Sequence, residues 1–157
     1  MSLDKVQFRE LIEKTLIEID KHSEASVNLL LGTAAQESGF GTYIRQIGGG
    51  PALGVFQMEP NTEADIWMNY LLYRRELLSH IKRLAGLEAA NAWHLEGNLI
   101  YQIIMARAHY LRVHEVLPPA DDIEGLARYW KQYYNTPLGK GTVEEFERNY
   151  LRYVTGG

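Results

Sequence analysis

With 157 residues, 46% of them hydrophobic and 23% charged, the chain has the size and composition of one ordinary globular domain with room for a real hydrophobic core. Its net charge of −4 excludes the basic footprint of a nucleic-acid binder and of a protein drawn to an anionic membrane surface. Cysteine is absent, which excludes disulfides and thiolate metal ligands, and no apolar run reaches transmembrane length.

Helical periodicity dominates. Val6, Leu11, Ile12, Leu16 and Ile19 form an apolar stripe with Glu10, Glu13, Lys14 and Glu18 on other faces, predicting a first helix from about Asp4 to Lys21. Ser23 can N-cap a second, apolar helix that ends near Ser38, where Gly39 and Gly41 break the pattern. From about residue 40 to 60 the period disappears; Gly48-Gly49-Gly50-Pro51 marks a loop-rich or short-strand segment. Asn61 or Thr62 can cap the next helix, whose first turn carries Glu63 and Asp65. That helix holds Ile66, Trp67, Tyr70 and Leu71 and continues through a kink to Leu84, with Gly86 as its stop. A short helical piece is expected at 87–93. Asn98 caps a helix that is apolar on several faces, Leu99 to Leu111, and is expected to be central. Pro118-Pro119 ends this segment, and Asp121 or Asp122 opens a helix through Tyr133. Thr142 with Glu145 reads as a capping box for a last helix with Phe146, Tyr150 and Val154 on one face. No repeat, low-complexity tract or linker divides the chain, so residues 1–157 read as a single mainly α domain.

Glu37 is the residue with most chemical promise. It follows the apolar run Val27–Leu31 and sits in the last helical turn, where a negative charge opposes the helix dipole. Apolar surroundings raise a carboxyl pKa, and a carboxyl kept protonated near neutrality can act as a general acid. The structural alternative is a carboxylate that simply ends a helix. Glu37-Ser38, then Gly54-Val55-Phe56-Gln57, then Tyr133-Tyr134-Asn135-Thr136 resembles the ordered motifs of soluble lytic transglycosylases and goose-type lysozymes, which carry Glu-Ser, Gly-Leu-Met-Gln and Ala-Tyr-Asn-Ala-Gly. The resemblance spans about residues 27–135, and the segment Trp130 to Thr142 is similar to small phage and prophage cell-wall enzymes. The third motif lacks its final glycine.

That resemblance implies a lysozyme-like fold and cleavage of the MurNAc–GlcNAc β-1,4 bond of peptidoglycan, with Glu37 as acid and then base. It implies that Ser38, Gly54, Phe56, Gln57, Tyr134 and Asn135 bind substrate. The residues themselves admit other roles. Gln57 has an amide suited to an N-acetyl group or to pinning its own loop. Ser38 can back-bond to helix carbonyls. Tyr134 can be a core aromatic like Tyr129, Trp130 and Tyr133, and Asn135 a helix cap. Glu59 is the candidate for a second carboxylate, whereas Glu63 and Asp65 fit helix-dipole positions. Arg107, on the central helix, is expected to have an ion-pair partner. The five histidines show no paired ligand spacing and the Gly48–Gly50 run lacks the lysine of a phosphate loop, so no metal or cofactor is expected.

The expected partner is a peptidoglycan glycan strand, not nucleic acid, recognised by a local groove because the net charge gives no attraction to an anionic wall. The charged start without an apolar h-region predicts cytoplasmic synthesis without a signal peptide, with access to the wall by a holin pore or virion carriage. The sequence sets no oligomeric state. Two alternatives stand beside the transglycosylase: a hydrolytic muramidase, and a virion-associated glycan-binding module without turnover.

Overall fold

The computed structural model describes residues 1–136 and 138–156; Pro137, within the Trp130 to Thr142 segment, and Gly157 lie outside the described residues. The fold is mainly helical, as the periodicity predicts. Among the described residues eight α-helices follow in order: α1 Lys5–Glu18, α2 Glu24–Ser38, α3 Pro60–Asn69, α4 Arg75–Ala85, α5 Ala92–Gly97, α6 Leu99–Leu111, α7 Ile123–Trp130 and α8 Val143–Asn149. A 3-10 turn, Leu71–Tyr73, joins α3 to α4. Both α7 and α8 widen into π-helical turns, Lys131–Asn135 and Tyr150–Thr155.

Local chemistry explains most of the helix ends. Asp4, Ser23, Asn91, Asn98, Asp122 and Thr142 each accept a backbone N–H from the first turn they cap. At Ser23 the box closes through Ser26. Helix α2 stops at Gly39, which takes the left-handed conformation at φ +57° and returns its N–H to Ala35 O at 3.0 Å. Three expectations need correction. Helix α3 is opened by Pro60 in its first turn, with Glu59 rather than Asn61 or Thr62 at the cap, because a proline has no N–H to leave orphaned there. The short piece expected at 87–93 is α5, shifted toward the C-terminus by its Asn91 cap. In α1 Val6 is exposed and Phe8 takes its place in the core, giving the spacing Phe8, Ile12, Leu16 and Ile19.

Two helices form the centre. α2 buries almost every residue from Ser26 to Ala35, and α6 buries Tyr101 to Ala106, Ala108 and Tyr110. Around α2 pack α1, α6, α7, α8 and the second π turn. Gly32 makes the α8 contact possible: a Cβ there would overlap the Phe146 ring. Val154 joins Phe146 and Tyr150 on the buried face of the chain's end, as their spacing predicts.

The aperiodic stretch between α2 and α3 folds on itself through two isolated antiparallel bridges, Arg45 with Leu53 and Leu53 with Met58. Leu53 and Met58 exchange both backbone hydrogen bonds at 3.0 Å, Gln46 N–H reaches Ala52 O at 3.0 Å and Gly54 N–H reaches Ile44 O at 2.7 Å. This small platform is held against the helices rather than free to swing. Gly54, at φ +82°, lies so close to α5 and α6 that a Cβ would overlap the Leu95 carbonyl oxygen and Gln102 Oε1. Gln102 Oε1 also accepts from Val55 N–H at 2.7 Å.

Candidate active site

A cleft of about 800 Å³ runs between the end of α2, the 43–59 platform and the first π turn with the turn that follows it. Glu37 lies in its lining. The helix end delivers the carboxyl there, and burial pushes its pKa from 4.5 up to about 7. The indole N–H of Trp130 donates to Glu37 Oε2 at 2.9 Å and acts in the opposite sense, favouring the charged form. Trp130 is itself wholly buried and packs on Phe146 with ring centroids 5.4 Å apart. The acid is therefore positioned by α7 and α8 as well as by its own helix. Tyr43 closes the same helix end by donating its hydroxyl to Glu37 O at 2.7 Å.

Tyr134 and Tyr110 stand beside Glu37. Burial, and next the neighbouring carboxylate charge, holds the Tyr134 hydroxyl well above its ordinary pKa, so it stays a donor. Its bond goes to Phe56 O at 2.6 Å, tying the π turn to the platform. Tyr110 is shifted in the same direction by burial and shares a 2.8 Å hydrogen bond with Thr33 Oγ1. His109 lies in the cleft lining with its ring edge-on to Tyr134, centroids 4.7 Å apart. Burial and the adjacent Arg112 guanidinium pull its pKa down to about 4. Arg112 Nη2 donates to His109 Nδ1 at 2.8 Å, so the neutral imidazole carries its proton on Nε2. Arg112 in turn pairs with Asp65 at 2.6 Å.

The π turn builds the opposite wall. Three oxygens hold the Lys131 ammonium: Asn135 Oδ1 at 2.7 Å, Gly139 O at 2.8 Å and Gly141 O at 2.6 Å. Each of its three protons has a partner, and the cation ties Asn135 to Gly139 and Gly141.

The sequence-named residues divide into two groups. Glu37, Gln57, Tyr134, Asn135 and Glu59 all line the cleft. Gln57 also pins its own loop, in the left-handed region at φ +49°, with Nε2 donating to Gly54 O at 2.9 Å. Ser38, Gly54 and Phe56, expected to bind substrate, do not line the cleft. Ser38 is 0% exposed; its hydroxyl donates to Val55 O at 2.6 Å and accepts from Gly41 N–H at 2.9 Å, clamping the platform to α2. Gly54 is the close-packing point against α5 and α6, and Phe56 is a core ring beside Phe8.

Arg107 is also corrected. It has no carboxylate partner among the described residues and donates from Nε to Lys21 O at 3.1 Å. Glu63 lies in the first turn of α3, the expected dipole position, and is a carboxylate only 2% exposed, accepting from the Tyr101 hydroxyl and from Asn91 N–H at 2.8 Å. Sequence reasoning missed Trp130, Tyr43, His109 and Glu145 as cleft residues. The i, i+4 spacing of Trp130 and Tyr134 was a readable sign that both share one face.

Glu59 is exposed on the rim, and Glu145 accepts from the Thr142 hydroxyl at 3.2 Å. Glu59 does not share the burial of Glu37. Among the described residues no three His, Asp or Glu side chains are grouped to hold a metal ion, and no helix is long and apolar enough to cross a membrane. Comparison with protein-family models, with curated proteins and with solved structures gives no match.

Proposed function

We propose that this chain is a lysozyme-like enzyme that cleaves the MurNAc–GlcNAc β-1,4 bond of peptidoglycan, as a lytic transglycosylase. The observation that carries the reading is Glu37: a carboxyl in an open cleft, raised to about 7 by burial and held by Trp130. Such a group is still about half protonated at neutrality and can give its proton to a leaving oxygen.

The step follows from that. Glu37 protonates the glycosidic oxygen as the C1–O bond breaks, and the GlcNAc hydroxyl leaves. The substrate's 2-acetamido oxygen stabilises the positive charge at C1, which removes the need for a protein nucleophile. Glu37, now a carboxylate, takes the proton from the C6 hydroxyl as that oxygen attacks C1. The product is a 1,6-anhydro ring, and the acid is regenerated. Gln57 and Asn135 are the amides available to the acetamido groups, and Tyr134 holds their two walls together.

Hydrolysis is the second reading, favoured by Glu59 in the cleft lining, a carboxylate that could activate water. Mass spectrometry of soluble products from purified peptidoglycan separates the two. Anhydro-ended muropeptides released by the wild type and absent with Glu37→Gln support transglycosylation. Reducing ends move the enzyme to the muramidases. Release that persists with Glu37→Gln overturns the role of Glu37, and no release by the wild type leaves a glycan-binding module.

A further inference from the structure

A second groove, of about 780 Å³, lies on the other side of the platform. Its lining includes Ile44, Arg45, Trp93 and Glu96, whereas Gln46 and Ile47, the next two residues of the same segment, line the main cleft. One short stretch of backbone is thus the partition between the two depressions. Trp93 is 76% exposed, an unusual state for the largest apolar side chain, while Trp67 and Trp130 are both buried.

Its ring stands on a firmly held support. Asn91 caps α5 by accepting Trp93 N–H at 3.0 Å, and Leu95 anchors the helix in the core. The Leu95 carbonyl packs directly on Gly54, and Asn98 Nδ2 donates to Ala85 O at 3.0 Å. Beside the indole, Arg45 and Glu96 form an ion pair whose arginine end is largely exposed. Ile44 adds an exposed apolar contact.

We infer that this groove is a second saccharide-binding site, in which Trp93 stacks on a pyranose ring of a glycan strand that extends past the main cleft. A flat indole matches the C–H face of a pyranose. The Arg45–Glu96 pair offers a donor and an acceptor at the ring's edge, where hydroxyl and acetamido groups project, and Ile44 can take an acetamido methyl. Only residues 44–47 separate the groove from the cleft, which argues for a polymer long enough to occupy both. The occupant rests on the glycan reading of the cleft, but the site itself does not require turnover.

The test uses the full chain with Glu37→Gln, so that ligand is not consumed, and N-acetylglucosamine oligomers as the probe. The three tryptophans give three indole N–H resonances, and Trp93→Phe assigns that of Trp93. The expected result is a saturable shift of the Trp93 resonance, and binding of long oligomers weakened about tenfold in Trp93→Ala. With Glu37 intact, Trp93→Ala should lower release from polymeric peptidoglycan while leaving cleavage of a short substrate that fills only the main cleft unchanged. Trp93 is exposed, so the variant keeps its core, and Trp93→Phe should be intermediate. An unmoved Trp93 resonance, with equal polymer and short-substrate activity in Trp93→Ala, overturns the second site and leaves the proposed activity standing. A Trp93 shift in a wild type that releases no product supports the site without the activity.

Discussion

Trp130 donates its indole N–H to Glu37 Oε2 at 2.9 Å, and this bond works against the burial that raises the carboxyl. Removing it with Trp130→Phe should move the Glu37 pKa further up. Because the proposed reaction needs the protonated acid, kcat/KM should fall as pH rises through about 7 in the wild type. In Trp130→Phe the fall should begin at higher pH, and a pH–rate profile reads the displacement. A limb displaced downward would contradict the assignment of the bond. The same carboxyl also links stability to pH. Its folded pKa lies above its unfolded value of 4.5, so between 4.5 and about 7 the folded chain holds a proton that the unfolded chain has lost. The stabilising contribution is complete below 4.5 and is lost as pH rises through about 7. Above that, the buried carboxylate costs roughly 3 kcal/mol relative to a protonated carboxyl. Glu37→Gln, neutral at every pH, should match the wild type in Tm near pH 4 and exceed it near pH 8. Equal Tm values at both pH values would show that the carboxyl is not raised.

Among the elements, the first π turn carries the most function in the fewest residues. Helix α7 places Trp130 on the acid, and the widened turn then offers both Tyr134 and Asn135 to the cleft. Lys131 holds the next turn through two backbone carbonyls and Asn135 Oδ1. Lys131→Met keeps the aliphatic stem but leaves those oxygens without their donor, at a cost of about 1–3 kcal/mol. The expected outcome is faster limited proteolysis between residues 136 and 141 together with reduced turnover; an unchanged cleavage rate would remove the lysine's role as a clasp. This turn also marks where sequence reading stopped. Caps at Ser23, Asn98, Asp122 and Thr142 were legible because a cap bonds within its own first turn. The helix through Tyr133 was legible as well. Its widening was not, since nothing in hydrophobic period separates α from π winding, and the oxygens that surround Lys131 follow from tertiary closure rather than from local pattern.

Across the whole molecule, the ordered motifs told which segments meet but not which side chains face the cleft. Ser38, Gly54 and Phe56 sit in the expected segments, yet all three turn inward to fasten the platform, because a loop that presents Gln57 must bury its neighbours. Glu63 shows the same limit. Its position in a helix start was legible, but its partners, Tyr101 and Asn91, lie 38 and 28 residues away, beyond the reach of any local rule. This carboxylate joins α3 to the cap of α5 and to α6, and Tyr101 passes the link on by accepting from Trp67 Nε1 at 2.8 Å. The platform rests on the same elements through Gly54 and Gln102, so the support behind the cleft depends on this junction. Glu63→Leu leaves the buried Tyr101 hydroxyl without an acceptor and removes the partner of Asn91 N–H, which should destabilise the chain by about 2–5 kcal/mol. Glu63→Gln retains one acceptor oxygen and should lose less. Denaturant unfolding of the two variants measures the difference. Hydrogen exchange should locate the loosening in α3 and α5 while α2 and α8 stay protected, since their main packing partners are each other, α1, α6, α7 and the second π turn rather than α3 or α5. If Leu and Gln are equally mild, Glu63 is not the joint that holds the second half of the chain to the first.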